Sequence, residues 1–407
     1  MSHPPSPWSE WVEATCATVE AAGQWRVPRT FDAWGPSGVL AAAGNQVVSF
    51  ASNDYLGLTS HPAVVDAAHA ALDRWGAGSG GSRLITGSRP IHVALETALA
   101  EWRQCEGAVL FPTGFAANLS VLSVFGAHGA RIYSDELNHA SIIDGCRLAR
   151  APATVFPHRD LDALDRLVAA SPERAVIVSD TVFSMDGDEA DLPGLVDLAA
   201  RHDALLVLDE AHAVLGPDLP AGAMDEIDVL RVGTLSKTLG ALGGFVAGPA
   251  RSIELLVNRA RPYIFTTAPT PADAAAALAA LAIVRSAEGD GLRARLSGFV
   301  ARIAPDPEHR SPIIPVVIGE EADTVAASSA LQSQGLWVPA IRPPTVPVGT
   351  SRLRVTLSAA HTDEQVDRLA SGLAGLAPGG MPARADQSSA VPGAQPSAST
   401  EPNVLAS

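Results

Sequence analysis

Between Leu205 and Gly244 the chain reads LLVLDEAHAVLG, a short polar interval, then VGTLSKTLGALGG. Two apolar runs each end in a cluster of polar groups, the pattern by which buried parallel strands deliver side chains to a site at their carboxyl ends. The alternation extends upstream: GAVLF (107–111), RIYS (131–134) and AVIVSD (175–180) read as strands, and PTGFAANLSVLSVF and NHASIIDG open helices behind the first two. Strands and helices therefore alternate from about residue 107 to 248, which predicts an α/β fold whose mostly parallel sheet is covered on both faces.

Around this centre the pattern predicts a helix over 8–22, a strand over 47–51 leading into the turn-forming SNDYLGL, and helices over 62–75 and 92–104. An Ala-rich helix follows Pro269 and ends near Ser286, and a second α+β unit with strands IIPVVIG and RLRVTLS runs to about residue 376. The expected division is an N-terminal arm and helix (1–46), a large domain (47–286), a small C-terminal α+β domain (287–376) and a disordered, low-complexity tail (377–407). Residues 1 to about 8, rich in Pro and Ser, are expected to be mobile.

Composition narrows the function. A chain of 407 residues that is 47% hydrophobic and 18% charged can bury a large core. Its net charge of −16 argues against nucleic acid or an anionic membrane as partner, so any phosphate must be bound locally. Three cysteines, Cys16, Cys105 and Cys146, have neither disulfide nor zinc spacing, and no metal site is expected. The start lacks a signal-peptide pattern and the apolar run 274–284 is too short to span a bilayer, so the expectation is a soluble cytoplasmic protein.

The candidate chemistry lies at the strand ends, where Gly114, His139, Ser184, Asp209, His212 and Lys237 gather on one edge. Lys237, framed by Thr234, Ser236 and Thr238, would have its pKa lowered by desolvation and become a nucleophilic amine suited to a Schiff base. Asp209 would hold a positive charge in an apolar place, as a pyridinium nitrogen requires. Thr113 and Gly114 at a helix start offer free N–H groups to a phosphate. Arg352 and Arg354 share one face of their strand, and one of them suits a carboxylate clamp. The glycine-rich loop 76–88 follows a helix and fails the phosphate-loop templates, so it reads as close backbone packing. Asp186 and Asp188 read as turn residues, and Arg26 is a candidate ligand in a short basic link with Arg29.

SNDYLGL, GSGGSRLITGS, GFAAN, NHASIIDG, VFSMDGD, LVLDEAHAVLG, GTLSKTLG and LRVTLSAAH, in that order from about residue 47 to 370, together resemble the α-oxoamine synthases. These are pyridoxal-phosphate enzymes of aminotransferase fold type I. The resemblance implies a large domain with a mostly parallel seven-stranded sheet, a smaller α+β domain and a homodimer. It implies pyridoxal 5'-phosphate joined to Lys237, with Asp209 on the pyridinium nitrogen, His139 stacked on the ring, and His212 and Ser184 at its hydroxyl. Gly114, Phe115 and Thr234 would hold the ring and phosphate, with Thr266 or Thr267 reaching in from the other subunit. Asn53 and Arg354, with His139, would contact the amino-acid carboxylate, and Arg26 and Thr356 the acyl substrate. The AIRPPTVPVGTSRLRVTLSAAH segment most resembles the biotin-pathway branch, which condenses L-alanine with a pimeloyl thioester of coenzyme A or an acyl carrier protein. The alternative within the family is glycine or serine with a different acyl-CoA.

Overall fold

The computed structural model describes residues 6–41, 44–127, 129–304 and 306–376. The tail expected from residue 377 onward and residues 1–5 of the Pro- and Ser-rich start lie outside the described residues. Strands β1 (Phe31–Trp34), β2 (Ser37–Leu40) and β3 (Asn45–Ser49) form an antiparallel meander. Strands β4 (Gly107–Phe111), β5 (Ala130–Asp135), β6 (Ala153–Phe156), β7 (Arg174–Asp180), β8 (Leu205–Asp209), β9 (Val229–Thr234) and β10 (Gly244–Gly248) build the seven-stranded central sheet. Its order is β4-β10-β9-β8-β7-β5-β6. Only β10 runs against the others, so the sheet is mostly parallel, as the alternation required.

The apolar runs lack alternation because both faces are covered. On one face Val109, Phe111, Val178, Val207 and Val232 pack beneath the helices 114–125 and 250–259. On the other, Ile177, Leu206 and Leu208 meet the helix 192–201, while Leu110 and Phe245 meet the Ala-rich helix 271–284. Leu206, Val207 and Leu208 are 0% exposed, and each such aliphatic side chain stabilises the fold by about 1.5–3 kcal/mol. This burial fixes β8 at the middle of the sheet, with Asp209 at its open end.

The helices begin where proline is tolerated. Those at Pro7–Ala21, Pro62–Trp75, Pro90–Trp102 and Pro271–Val284 each carry Pro in the first turn, where its missing N–H costs no hydrogen bond. The third starts two residues before the expected His92 for this reason.

In the C-terminal region β11 (Ile313–Gly319), β14 (Ser351–Thr356) and β13 (Ala340–Ile341) form an antiparallel sheet in the order β11-β14-β13. Strand β12 (Leu336–Trp337) pairs in parallel with β3, so the N-terminal meander is an extension of the C-terminal unit. The expected boundary at 46/47 falls inside β3. Among the described residues no helix is long and apolar enough to cross a membrane.

Candidate active site

Strands β7 and β8 end side by side, with Asp180 and Asp209 as register partners. Two carboxylates so close in a buried place repel each other, and burial with the Asp209 charge pushes the Asp180 carboxyl well above its ordinary range. Asp209 is 6% exposed. Its Oδ2 accepts from Asn118 Nδ2 at 2.6 Å and its Oδ1 from the Ala211 N–H at 2.9 Å. The chain turns after β8, and His212, buried, meets the Tyr55 hydroxyl through Nδ1 at 2.5 Å and Lys237 Nζ through Nε2 at 2.9 Å. Lys237 sits in the turn after β9, closed by the Leu235 N–H to Gly243 O at 2.9 Å and the Gly240 N–H to Lys237 O at 3.1 Å. Burial lowers the Lys237 pKa, with Asp209 and Asp180 opposing and Arg354 adding to the depression. An amine held toward its free-base form is the nucleophile expected at this position.

His139 caps the helix Ala140–Leu148, and its main-chain N–H donates to Asp180 Oδ2 at 2.7 Å. Its ring lies edge-on to Phe115, with centroids 6.4 Å apart. Burial, ahead of a rise from Asp209 and a further lowering by Lys237, brings its pKa down. Phe115 belongs to the helix Gly114–Phe125, whose cap Thr113 accepts the Ala116 N–H at 3.1 Å. The Gly114 and Phe115 amides therefore have no intrahelical partner and face the positive end of the helix dipole. A Cβ on Gly114 would stand 3.2 Å from Thr234 Cβ and press on that side chain, so glycine here lets the helix start approach Thr234 closely. Thr234 Oγ1 donates to Gly243 O at 3.0 Å and lies 2.8 Å from Ser236 Oγ. Open amides beside two hydroxyls make a corner for a phosphate.

Across the site, Arg354 on β14 reaches Ser184 O through Nε (2.6 Å), Thr356 Oγ1 through Nη1 (2.9 Å) and Asn53 Oδ1 through Nη2 (3.2 Å). Arg354 is 6% exposed, and burial lowers its pKa, with Tyr55 opposing. The buried arginines Arg83, Arg103, Arg231 and Arg352 each face a carboxylate, from Glu96, Glu210, Glu210 and Asp186 respectively. Arg354 has no carboxylate among the described residues. A buried guanidinium without a counter-ion is costly unless a ligand supplies one.

The structure thus brings together Lys237, Asp209, His212, His139, Gly114, Phe115 and Thr234, with Asn53, Arg354 and Thr356 opposite them. Ser184 joins through its carbonyl oxygen. Arg352 shares the face with Arg354, as alternation requires, but is occupied by Asp186. Arg26 is exposed in the link 22–30 and no contact joins it to these groups. Thr266 and Thr267 follow the short helix Arg261–Ile264, held by the Ala268 N–H on Gly81 O at 3.0 Å, and neither touches the cluster within one chain. Tyr55, Asn118, Ser141 and Asp180 were missed as site residues. A signal existed for two of them: Asn118 interrupts an apolar helix, and Asp180 closes an apolar strand as Asp209 does. A cavity of about 730 Å³, lined by Trp102, Arg103, Glu210 and Thr234, touches the cluster at Thr234 and includes none of Lys237, His139 or His212.

A buried carboxylate opposite a depressed lysine amine, with a phosphate corner between them at the ends of a parallel sheet, is the donor set of a pyridoxal-phosphate enzyme. Residues 45–373 match the family "Aminotransferase class I and II", and the chain belongs to that family. Within it, the likeness to the α-oxoamine synthases read from the motifs holds. The chain is 47% identical over 382 residues to the 8-amino-7-oxononanoate synthase of Burkholderia thailandensis, covering 89% of this chain and 96% of that relative. The serine palmitoyltransferase of S. paucimobilis, solved with a PLP–myriocin aldimine bound, superposes with a TM-score of 0.80 at 28% identity, covering 90% of this chain and 97% of that one. The 8-amino-7-oxononanoate synthase of Francisella tularensis superposes with a TM-score of 0.67 at 26% identity, covering 80% and 96%.

Proposed function

We propose that this chain uses pyridoxal 5'-phosphate to condense L-alanine with a pimeloyl thioester, giving 8-amino-7-oxononanoate, carbon dioxide and the free thiol, the carbon-joining step on the way to biotin. The observation that carries the reading is Arg354, a buried guanidinium without a carboxylate partner among the described residues, placed with Asn53 opposite the Lys237–His212 pair. The relatives named 8-amino-7-oxononanoate synthase at 46–47% identity support the choice of amino acid and acyl group.

The residues present fit the cofactor. Gly114 and Phe115 amides with Thr234 and Ser236 would hold its phosphate, Asp209 would keep the ring nitrogen protonated, and the exposed ring of His139 would cover one face. Bound there, pyridoxal phosphate supplies an electron-withdrawing ring that stabilises negative charge on the amino acid's α-carbon. Lys237 would hold the cofactor's aldehyde carbon through Nζ, and its amine would take the α-proton of the bound alanine. Arg354 and Asn53 hold the alanine carboxylate and so fix which bond at the α-carbon is presented. The α-carbon joins the acyl carbonyl carbon, the thiolate leaves, and the carboxylate departs as carbon dioxide. Lys237 then returns a proton to the same carbon.

A second copy of the chain would bring Thr266 or Thr267 to the phosphate, and we place the working form as a homodimer. Three free cysteines favour a reducing compartment, and we place the enzyme in the cytoplasm.

The test is turnover of alanine with pimeloyl-coenzyme A and with pimeloyl carrier protein, run beside glycine and serine. Product with alanine, lost in Lys237→Ala, is expected. Turnover of serine or glycine in preference to alanine would move the chain to another branch of the family, and full activity of Lys237→Ala would overturn the mechanism.

A further inference from the structure

We infer that Asn118 and Ser141 are positioning residues that lock the His139 imidazole in its Nε2–H tautomer and tie it to the Asp209 carboxylate. The inference deepens the reading above and rests on it for its relevance to turnover.

Three hydrogen bonds run in series. Asn118 Nδ2 lies 2.6 Å from Asp209 Oδ2 and 2.9 Å from Ser141 Oγ, and Ser141 Oγ lies 2.7 Å from His139 Nδ1. Their directions are forced. A carboxylate facing an amide only accepts, so the Asn118 amide must present its NH2 group to Asp209, and its second N–H serves Ser141 Oγ. The Ser141 hydroxyl proton is then left for His139 Nδ1.

A separate bond gives the same answer. The Ser141 main-chain N–H, which can only donate, points at His139 Nδ1 at 3.2 Å. A ring nitrogen that receives two donors carries a lone pair, so the imidazole is neutral with its proton on Nε2. The residue is exposed even though its surroundings partly desolvate the ring, which leaves Nε2–H as the donor available to a bound substrate or cofactor.

Folding stability does not explain the chain. Asn118 is 1% exposed and Ser141 0%, and Asn118 Oδ1 is buried without a hydrogen-bond partner. An orphaned buried acceptor is a cost that an apolar residue would remove, so its retention points to use. The charged groups around His139 are Asp180 at the end of β7, which holds its main-chain N–H, Asp209 at the end of β8, and Lys237 after β9. Asp209 favours a cationic ring, burial and the charge of Lys237 favour the neutral one, and the donors at Nδ1 decide which nitrogen carries its proton.

The test is two-bond 15N–1H correlation on the 15N-histidine-labelled chain, with His139 identified among the 11 histidines by the signals missing in His139→Gln. Wild type should show an unprotonated Nδ1 and a protonated Nε2 before and after pyridoxal phosphate is added. Ser141→Ala should populate the other tautomer and move the acid limb of kcat/KM upward by about half to one pH unit, one hydrogen bond's worth. Ser141→Thr, which keeps the hydroxyl, should restore both. A protonated Nδ1 in wild type, or a Ser141→Ala chain with tautomer and acid limb unmoved, overturns the inference. Should Ser141→Ala not fold, the wild-type spectrum decides. Failure of wild type to turn over alanine would sink the proposed function but leave the tautomer, read on the chain alone, to stand or fall separately.

Discussion

Lys237 Nζ and His212 Nε2 are 2.9 Å apart, and both bases are held toward their uncharged forms. Burial is the main cause in each case, and for His212 the charge of Lys237 comes next. The Tyr55 phenol, buried and pushed up in pKa, stays protonated, with its oxygen 2.5 Å from His212 Nδ1 and 3.3 Å from Asn53 Oδ1. His212 Nε2 and the lysine nitrogen share one hydrogen bond. His212 therefore aims the free amine, and the nucleophile is prepared before any substrate arrives.

From this pair, His212→Ala is expected to lower kcat by about 10–100-fold, equivalent to losing one hydrogen bond of about 1.5–3 kcal/mol at a group that becomes charged. Steady-state kinetics with far-UV circular dichroism as a folding control measure it. An unchanged kcat would show that the amine needs no aiming.

Arg354→Lys keeps the charge but loses the planar fork that spans Ser184 O, Thr356 Oγ1 and Asn53 Oδ1. KM for the amino acid should rise by about 10–100-fold, while KM for the thioester moves little. Equal rises for both substrates would mean that Arg354 shapes the pocket and does not clamp the carboxylate.

At the phosphate corner the backbone sets the tolerance. A Cβ on Gly244 would come within 2.4 Å of the Gly114 nitrogen, with only main chain in the way. Gly244→Ala must therefore push β10 off the helix start or displace the open amides. Weaker binding of pyridoxal phosphate by about tenfold or more is expected, together with a lower Tm. Spectral titration with the cofactor checks it, and unaltered affinity would remove the Gly114 and Phe115 amides from the phosphate site.

What was legible in the sequence follows from distance along the chain. Asp209, His212 and Lys237 follow two neighbouring parallel strands joined by one crossover, so two apolar runs were enough to place them on one edge. The links between Asn118, Ser141 and Asp180 depend on helix-to-strand packing and on the Asp180–Asp209 register, which no local pattern carries. β12 and β13 are two residues each, too short for a period, and the pairing of β12 with β3 joins distant ends of the chain. Alternation placed Arg352 and Arg354 together, but only the fold shows that Asp186 occupies the first, while the second meets no carboxylate among the described residues. The roles expected of Thr266, Thr267 and Arg26 lie beyond what one chain's contacts bring to the cluster.

The loop that presents Ser184 is held by a titratable latch that the motifs did not suggest. His158 binds Asp135 Oδ1 through Nδ1 at 2.9 Å and Asp188 Oδ2 through Nε2 at 2.7 Å, and packs edge-on against Phe183. Burial works against its charge, but the two carboxylates prevail and raise its pKa from 6.5 to about 9. A histidine whose folded pKa lies above its unfolded value contributes stability that is fully present below the unfolded pKa and lost as pH rises through the folded one. The latch should therefore hold below about pH 6.5 and release progressively up to about pH 9. Allowing for solvent screening of a half-buried ring, its worth is on the order of 1–2 kcal/mol. Asp188→Asn should lower Tm near neutral pH and leave it close to that of wild type above the release, because there the wild-type latch is already open. Thermal melts of both chains across this pH range measure the difference. A gap in Tm that stays constant with pH would show that His158 is not the titrating partner.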